Sequence, residues 1–189
     1  MTRNHLLGML TGGDLRSDGM ANEVVEIVLT NEELFDDLYI GLRDSDDVVR
    51  GRAADALEKI ARSRPELLVE QLPELFQLAK SDSVAMVRWH IAMILGYLAI
   101  CPDIVGEISS VLVDLLMDQS VFVKSWTIVS LSIVGRHYPE WKNEVIIAIS
   151  GMQGDSSAAI RAKVRKALAL LADDELPFPP GWIKSVYTV

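Results

Sequence analysis

The sequence has few of the residues on which disulfides, metal sites and phosphate-binding surfaces depend. Its single cysteine, Cys101, allows neither an internal disulfide nor a zinc site built from several cysteines. The three histidines are scattered and match no metal-ligand spacing. Acidic residues outnumber basic ones by 27 to 18, and the net charge of −9 disfavours a protein whose whole surface binds nucleic acid. We therefore expect no catalytic residue, no metal and no cofactor.

Long hydrophobic runs are also missing. No uninterrupted apolar run reaches the roughly 18 residues that a transmembrane helix needs. The N-terminal segment lacks a signal-peptide cleavage pattern, so we expect a cytoplasmic protein that does not contact a membrane. Half of the 189 residues are hydrophobic, which is enough for one domain with a sizeable core.

What the sequence does contain is an internal repeat in four copies. A basic residue preceded by valine or isoleucine recurs every 36 to 38 residues, with an aspartate six positions before it and a leucine seven positions after it. A proline follows each base after 14 to 16 residues. The bases are Arg50, Arg88, Lys124 and Arg161, and the aspartates are Asp44, Asp82, Asp118 and Asp155. A period of this length is typical of solenoid proteins.

Each repeat contains two predicted helices. Apolar residues around each base follow the 3.6-residue period of a helix of about four turns, and a second amphipathic segment precedes it. Ser45, Ser83, Ser120 and Ser156 are the predicted N-caps of the second helices. We predict a single all-α domain, 1–189. It would be a right-handed α-solenoid of about four helix pairs, 30–64, 65–101, 102–138 and 139–174, with capping segments at 1–29 and 175–189.

The repeat segments "DSDDVVRGRAADAL", "SDSVAMVRWHIAMIL", "DQSVFVKSWTIVSL" and "GDSSAAIRAKVRKAL" resemble the short bacterial and archaeal form of the HEAT repeat family. In that family the turn aspartate and the helix arginine form a hydrogen-bonded ladder between neighbouring repeats. The resemblance implies that Asp44, Asp82, Asp118 and Asp155 pair with Arg50, Arg88, Lys124 and Arg161. The period is shorter than the usual 40–47 residues, and Lys124 lacks the guanidinium fork, which weakens its rung.

Two local motifs invite a ligand-binding interpretation that their details do not favour. The acidic start of the first repeat lacks the glycine and the glutamate of a calcium loop, and a helix N-terminus explains its acids. The glycine-rich segment Thr11–Gly19 lacks the ending of a P-loop and follows no predicted strand. We expect it to belong to the N-terminal cap.

The second helices of the two middle repeats carry aromatic and apolar residues on the side opposite the core pattern, whereas those of the outer repeats carry charges. The residues are Trp89, His90, Met93, Tyr97, Trp126, Val129 and Ile133. An apolar patch rimmed by charge is typical of a protein-interaction groove. We therefore predict a non-catalytic scaffold or adaptor that binds a protein or peptide on its concave face. Alternatively, the middle helices are buried on more sides, and these residues belong to the core.

Lys163, Arg165 and Lys166 form the main basic concentration. A solvated helix face explains them, and the alternative is an acidic partner or nucleic-acid phosphate. The patch, together with Trp89 and Trp126, loosely resembles the basic groove of alkylpurine DNA glycosylases, which have a HEAT-like fold. The catalytic aspartate of those enzymes has no counterpart at the middle groove positions. Nucleic-acid binding or base repair is thus the second function hypothesis, which the net charge disfavours.

The segment 175–189 begins where a fifth repeat is expected and contains three prolines that prevent an early helix. Its apolar residues Trp182, Ile183, Val186 and Tyr187 are predicted to fold over the last repeat as a cap. Alternatively, they dock on another copy, because an uncapped solenoid end is adhesive. The expected state is a monomer or a weak homo-oligomer through the solenoid ends.

Overall fold

The computed structural model describes residues 3–99 and 101–187, and the side chains from residue 5 onwards within these ranges. Ten α-helices and several short 3₁₀ turns form this part of the chain, which contains no strand. The helices are α1 Arg3–Gly8, α2 Ala21–Thr30, α3 Phe35–Tyr39, α4 Asp47–Ala61, α5 Leu72–Ser81, α6 Ala85–Leu98, α7 Val105–Leu115, α8 Val121–His137, α9 Pro139–Ser150 and α10 Ala158–Ala172. The prediction of an all-α fold is confirmed. None of the described helices has the length and apolarity needed to cross a membrane.

Each repeat segment contains a pair of helices, and proline marks where three of the pairs begin. Pro65 and Pro102 start 3₁₀ turns that lead into α5 and α7, and Pro139 is the first residue of α9. The missing N–H of proline is not needed in the first turn of a helix, so these positions tolerate it. In the first pair, α3 is a short helix flanked by 3₁₀ turns.

The second helices of the pairs form a row. The helices α4, α6, α8 and α10 contact one another in chain order, and α2 packs beside α4. The repeated leucines of this row, Leu57, Leu95 and Leu131, are fully buried. Leu168 is only half-buried because α10 has a neighbour in the row on one side. At the contact between α6 and α8, a Cβ on Gly96 would clash with Ser130, so glycine permits the close approach.

The basic residues connect consecutive helix pairs. Arg50 Nε lies 3.2 Å from Asp82 Oδ2, and Lys124 Nζ lies 2.6 Å from Asp155 Oδ2. Between them, Arg88 donates two hydrogen bonds to Asp118, at 2.7 and 3.1 Å. These three bases thus contact the aspartate of the next repeat, whereas the pairing that the family resemblance implied matched each base with the aspartate of its own repeat.

Within its own repeat, each arginine contacts the main chain of the aspartate. Nη1 of Arg50, Arg88 and Arg161 donates to the carbonyl oxygen of Asp44, Asp82 and Asp155, respectively. Lys124 makes no such second bond, because its three donors share one nitrogen, which lies at the next aspartate, and it lacks the guanidinium fork that reaches two separate acceptors. Arg161 has no aspartate of a following repeat to contact and donates instead to the carbonyls of Asp155 and Ser156.

The aspartates also shape the turns that precede the second helices. One carboxylate oxygen of each aspartate accepts a hydrogen bond from the N–H two residues later, at 2.7 to 2.9 Å. The predicted serine N-caps are wrong in three of four repeats, since the N-caps are Asp46, Val84 and Ser157. Ser120 occupies the N-cap of α8, but its side chain makes no capping hydrogen bond. The aspartate-centred turn delays the helix start by one residue in these three repeats.

Candidate functional site

Most of the predicted groove residues are buried. His90, Met93, Tyr97, Val129 and Ile133 are all less than a tenth exposed, whereas Trp89 and Trp126 are half-buried. The prediction of an open groove is therefore wrong for the first five. They lie on α6 and α8, each of which packs between two other helices of the row. The N-terminal loop and the C-terminal tail add further contacts to this row.

The N-terminal loop, residues 10–19, is attached to α4 through Arg52. This side chain is 3% exposed, and it donates hydrogen bonds of 2.8 to 3.2 Å to carbonyl oxygens of the loop. The acceptors are the carbonyls of Leu10, Thr11, Gly12, Asp14 and Ser17. Gly19 has a φ of +56°, and a Cβ there would clash with the Arg52 guanidinium. The loop thus turns its carbonyls towards a cation, an arrangement opposite to the N–H groups with which a phosphate loop binds an anion.

The C-terminal tail, residues 173–187, leaves α10 and runs back over the row. Near its start, Arg136 on α8 donates to the carbonyls of Asp174 and Leu176, at 2.5 and 2.8 Å. The guanidinium also lies 5.5 Å from the ring centroid of Phe178. No helix forms in the tail as far as residue 187, in agreement with its prolines. Thr188 and Val189 lie outside the described residues.

Trp182 anchors the middle of the tail and is 6% exposed. The Lys163 ammonium lies 5.3 Å from its ring centroid and 5.1 Å from that of Trp126. Lys184 adds a second ammonium, 4.8 Å from the Trp126 ring. Contacts of this kind between a cation and an indole are attractive, and more so where water is excluded. The tail therefore adds an aromatic side chain and a cation to a surface that already has one of each.

The end of the tail reaches the first repeat. The Val186 N–H and the Ser185 hydroxyl both donate to the carbonyl oxygen of Arg62, at 3.2 and 3.0 Å. Arg62 follows the last turn of α4, where carbonyl groups lack intrahelical partners. The prediction that the tail folds over the last repeat is thus too narrow, because it reaches from α10 to α4. We call the surface formed by Arg62, Trp126, Arg136 and Lys163 the tail-binding face.

Beneath this region, α4 and α6 share a buried polar cluster. Glu58 has no exposed surface and accepts hydrogen bonds from the Tyr97 hydroxyl at 2.5 Å and from Arg62 Nε at 3.0 Å. Burial and the Glu58 carboxylate raise the pKa of Tyr97 well above its usual value, so the hydroxyl remains a donor. The Glu58 carboxylate of α4, paired with Arg62, thus connects α4 to Tyr97 of α6.

A second carboxylate of the cluster contacts the predicted groove histidine. Asp55 lies 2.7 Å from Lys59 Nζ and 3.3 Å from His90 Nε2. Burial alone would raise the pKa of Asp55, but the hydrogen bonds from His90 and Lys59 outweigh it and lower the pKa. His90 Nε2 is also 3.1 Å from Trp89 Nε1. Nε2 of His90 donates to Asp55 if it carries a proton and accepts from Trp89 if it does not, so the two contacts are alternatives.

The predicted basic patch does not form one surface. Lys163 is half-buried beside the two indoles, and burial together with the nearby Lys166 lowers its pKa to about 8. Arg165 and Lys166 are exposed. No carboxylate of residues 5–99 or 101–187 lies within ion-pair distance of Lys163. In the same residues, no three His, Cys, Asp or Glu side chains lie close enough together to hold a metal ion.

Sequence reasoning missed Arg52, Arg62, Arg136 and Glu58, and it underestimated how far the tail extends. The side chains of Arg52 and Arg136 donate to main-chain carbonyl groups, and the main-chain carbonyl group of Arg62 accepts hydrogen bonds from the tail. Contacts with main-chain groups leave no pattern in the sequence. The one available signal was composition, because Trp182 and Ile183 are apolar residues in a segment that cannot start a helix. Apolar residues in a segment without its own helix are buried only if the segment packs against another part of the protein. No protein-family model matches this chain, and no curated protein is similar to it at a significant level.

Proposed function

We propose that this chain is a non-catalytic interaction scaffold with a right-handed, HEAT-like solenoid fold, and that it binds a non-helical segment of another protein on the tail-binding face. The chain-order contacts of the second helices and the ladder of bases and aspartates support the solenoid. Neither feature identifies a partner, because many functions share one fold.

The observation that carries the binding proposal is the position of the tail. Residues 176–187 lie on the row of helices as a non-helical segment that turns at residues 180–181, attached by one buried indole and by the carbonyl group of Arg62. A surface that holds a non-helical segment of its own chain has the contacts needed for a similar segment of another protein. A half-buried aromatic residue such as Trp126 at the centre of a binding surface is typical of an interaction hot spot.

The alternative, nucleic-acid binding, retains fewer supporting residues. Of the three basic residues predicted to act there with Trp126, only Arg165 and Lys166 are exposed, while Lys163 lies under the tail. Two cations give a weak attraction for phosphate, and the net charge of −9 opposes it. Nucleic-acid binding is therefore tested beside peptide binding, by its dependence on salt.

Selection of peptides from a random library on the intact protein tests the proposal. We expect selected peptides to bind at least tenfold more weakly to Trp126→Ala than to the unchanged chain, because the indole lies in the binding surface. Trp141→Ala is the matched control, since Trp141 is also half-buried but lies on α9, and binding should not change. Peptides that bind equally to Trp126→Ala would contradict the proposal.

Salt separates the two functions. Binding of an apolar peptide should change less than about threefold between about 50 and 500 mM salt, whereas phosphate binding weakens steeply over that range. Single-stranded and double-stranded oligonucleotides are titrated in parallel by fluorescence anisotropy. Oligonucleotide binding that falls steeply with salt and is lost in Arg165→Ala would favour the nucleic-acid function instead.

A further inference from the structure

The row of second helices ends in α2 on one side and in α10 on the other. At the first end α2 packs on α4, where Lys59 Nζ lies 2.7 Å from Asn22 Oδ1. At the second end α10 packs on α8 and on α9 of its own pair. The tail does not cover this end, because it leaves α10 and runs back to Arg62, and Arg165 and Lys166 on α10 remain exposed. An array of repeats presents such end surfaces to solvent or to another molecule.

The end surface on α2 is acidic and has an apolar floor. An open groove of about 460 Å³ lies between α2 and the 3₁₀ turn that follows it. Ile27 and Leu34 supply its apolar surface, and the exposed Glu23 and Glu26 add two carboxylates to its lining. Neither glutamate forms an ion pair with another described residue. The charge around them is also negative, since residues 14–37 contain eight acids and one base.

The end surface on α10 is basic and is lined by small side chains. The helix contains four bases and no acid, and the two exposed bases, Arg165 and Lys166, form no ion pair within the described chain. Positions three or four residues apart share a helix face. The alanines that share the face of these two bases are Ala158, Ala162 and Ala169. Of the acids that follow the helix, Asp174 turns back to Lys142 on α9, at 2.8 Å.

We propose that α10 of one copy docks in the α2 groove of a second copy and so continues the row of helices from one copy to the next. The two exposed bases of α10 would then meet the two glutamates of the groove. Charge complementarity identifies the occupant, because one chain carries both an unpaired acidic end and an unpaired basic end. The alanines allow close approach of the helices, and the aliphatic stems of Arg165 and Lys166 would lie along Ile27.

The proposed contact joins two different surfaces, and such heterologous contacts build chains of copies or closed rings. Exposed ion pairs are individually weak, so we expect the assembly to be reversible. Its surfaces are separate from the tail-binding face, so this inference does not rest on the proposed function, and the peptide selection described above does not test it.

Reversal of the charges tests the proposal on the full chain. The variant Glu23→Lys/Glu26→Lys has two basic ends, and the variant Arg165→Glu/Lys166→Glu has two acidic ends. Sedimentation equilibrium of the unchanged chain should show concentration-dependent assembly up to about 1 mM protein at about 100 mM salt, where charges more than about 10 Å apart are screened. Each double variant should assemble about tenfold more weakly or not at all, because like charges then face each other.

An equimolar mixture of the two double variants should recover assembly to within about threefold of the unchanged chain, because each variant supplies the end that the other lacks. The chain with all four changes should recover it as well, and it keeps the net charge of −9. The matched control is Glu107→Lys/Glu144→Lys. These two glutamates are exposed and form no ion pair in the described chain, and their change alters the net charge as much as the change at the acidic end does. The control should not weaken assembly.

Hydrogen exchange on the unchanged chain gives a readout that needs no variant. Amide exchange in α2 and α10 should slow as the protein concentration rises, while exchange in the middle of α6 stays the same. Unaltered exchange in both end helices overturns the proposal, and so does a chain that remains monomeric at about 1 mM. Assembly that persists in both double variants also overturns it, because copies that exchange tails would assemble without these charges. If the unchanged chain binds oligonucleotides through Arg165 and Lys166 and does not assemble, the basic end serves phosphate binding instead.

Discussion

Replacing Asp118 by asparagine removes the charge from the most complete rung of the ladder. The carboxylate accepts two hydrogen bonds from Arg88 and one, of 2.7 Å, from the Ser120 N–H. The side chains of Arg88 and Asp118 are only 15% and 10% exposed. Asparagine retains one acceptor oxygen, but its NH₂ group faces an arginine N–H and cannot accept from it. The substitution therefore breaks the bidentate pair and leaves a largely covered guanidinium without its anion.

The expected loss follows from these contacts. A hydrogen bond to a charged group contributes about 1.5–3 kcal/mol, and at least one such bond is lost. We expect unfolding to become easier by about 3 kcal/mol, which for a chain of this size lowers the Tm by about 6–12 °C. Asp114→Asn is the matched control, because Asp114 pairs with Lys80 at 2.6 Å but both side chains are about half exposed. Its cost should not exceed about 0.5–1 kcal/mol.

The pH dependence of the loss follows from the pKa of Asp118. Burial alone would raise that pKa, but the hydrogen bonds from Arg88 and the Ser120 N–H outweigh it and lower the pKa. A lowered pKa contributes stability that is fully present above the unfolded value, about 3.9, and is lost as the pH falls through the folded pKa. Urea denaturation should show a constant difference between the two chains from about pH 7 to 5 that shrinks below about pH 4. A loss no larger than that of the control, or one that shrinks already between pH 7 and 5, would refute the assignment of the rung.

Three further substitutions test other parts of the fold. Tyr97→Phe removes the O–H donor of the buried Glu58 carboxylate, so urea denaturation should show a loss of about 1–3 kcal/mol, and less than 0.5 kcal/mol would contradict the hydrogen bond. Gly96→Ala inserts a methyl group into the contact between α6 and α8 and should cost about 1–3 kcal/mol, whereas Gly151→Ala, with open space around it, should cost nothing. Arg52→Met removes the donors of five loop carbonyls, so amide exchange in the N-terminal loop should accelerate; unchanged exchange would show that the loop does not depend on this side chain.

The helices could be predicted from the sequence because their signals are local and occur four times. The apolar period around Arg50, Arg88, Lys124 and Arg161 lies within single helices, and prolines mark the pair boundaries. The N-caps were harder to predict, since serine and aspartate compete within two residues. The aspartates accept the local N–H bonds, and three of the four helices begin one residue later than the serine pattern indicates.

The candidate site could not be predicted in the same way because it depends on distant contacts. The helical period indicates which side of α6 faces away from its own pair, but it does not indicate what covers that side. The hydrogen bond of Ser185 to Arg62 joins residues 123 positions apart. Arg52 and Arg136 bind main-chain carbonyl groups, which every residue carries, so no side-chain pattern marks their partners. Tyr97 is likewise buried against Glu58 of α4, a contact between helices that the period of α6 does not indicate.

The contacts of the tail define what any competitor has to supply. Release of the tail would expose the Trp182-covered part of the row and leave the carbonyl of Arg62 without the two donors that it now has. Exposed apolar surface costs about 25 cal/mol per Å², so a partner needs an aromatic residue to offset the loss of Trp182. It needs a free main-chain N–H for Arg62, which an extended segment offers and a helix interior does not.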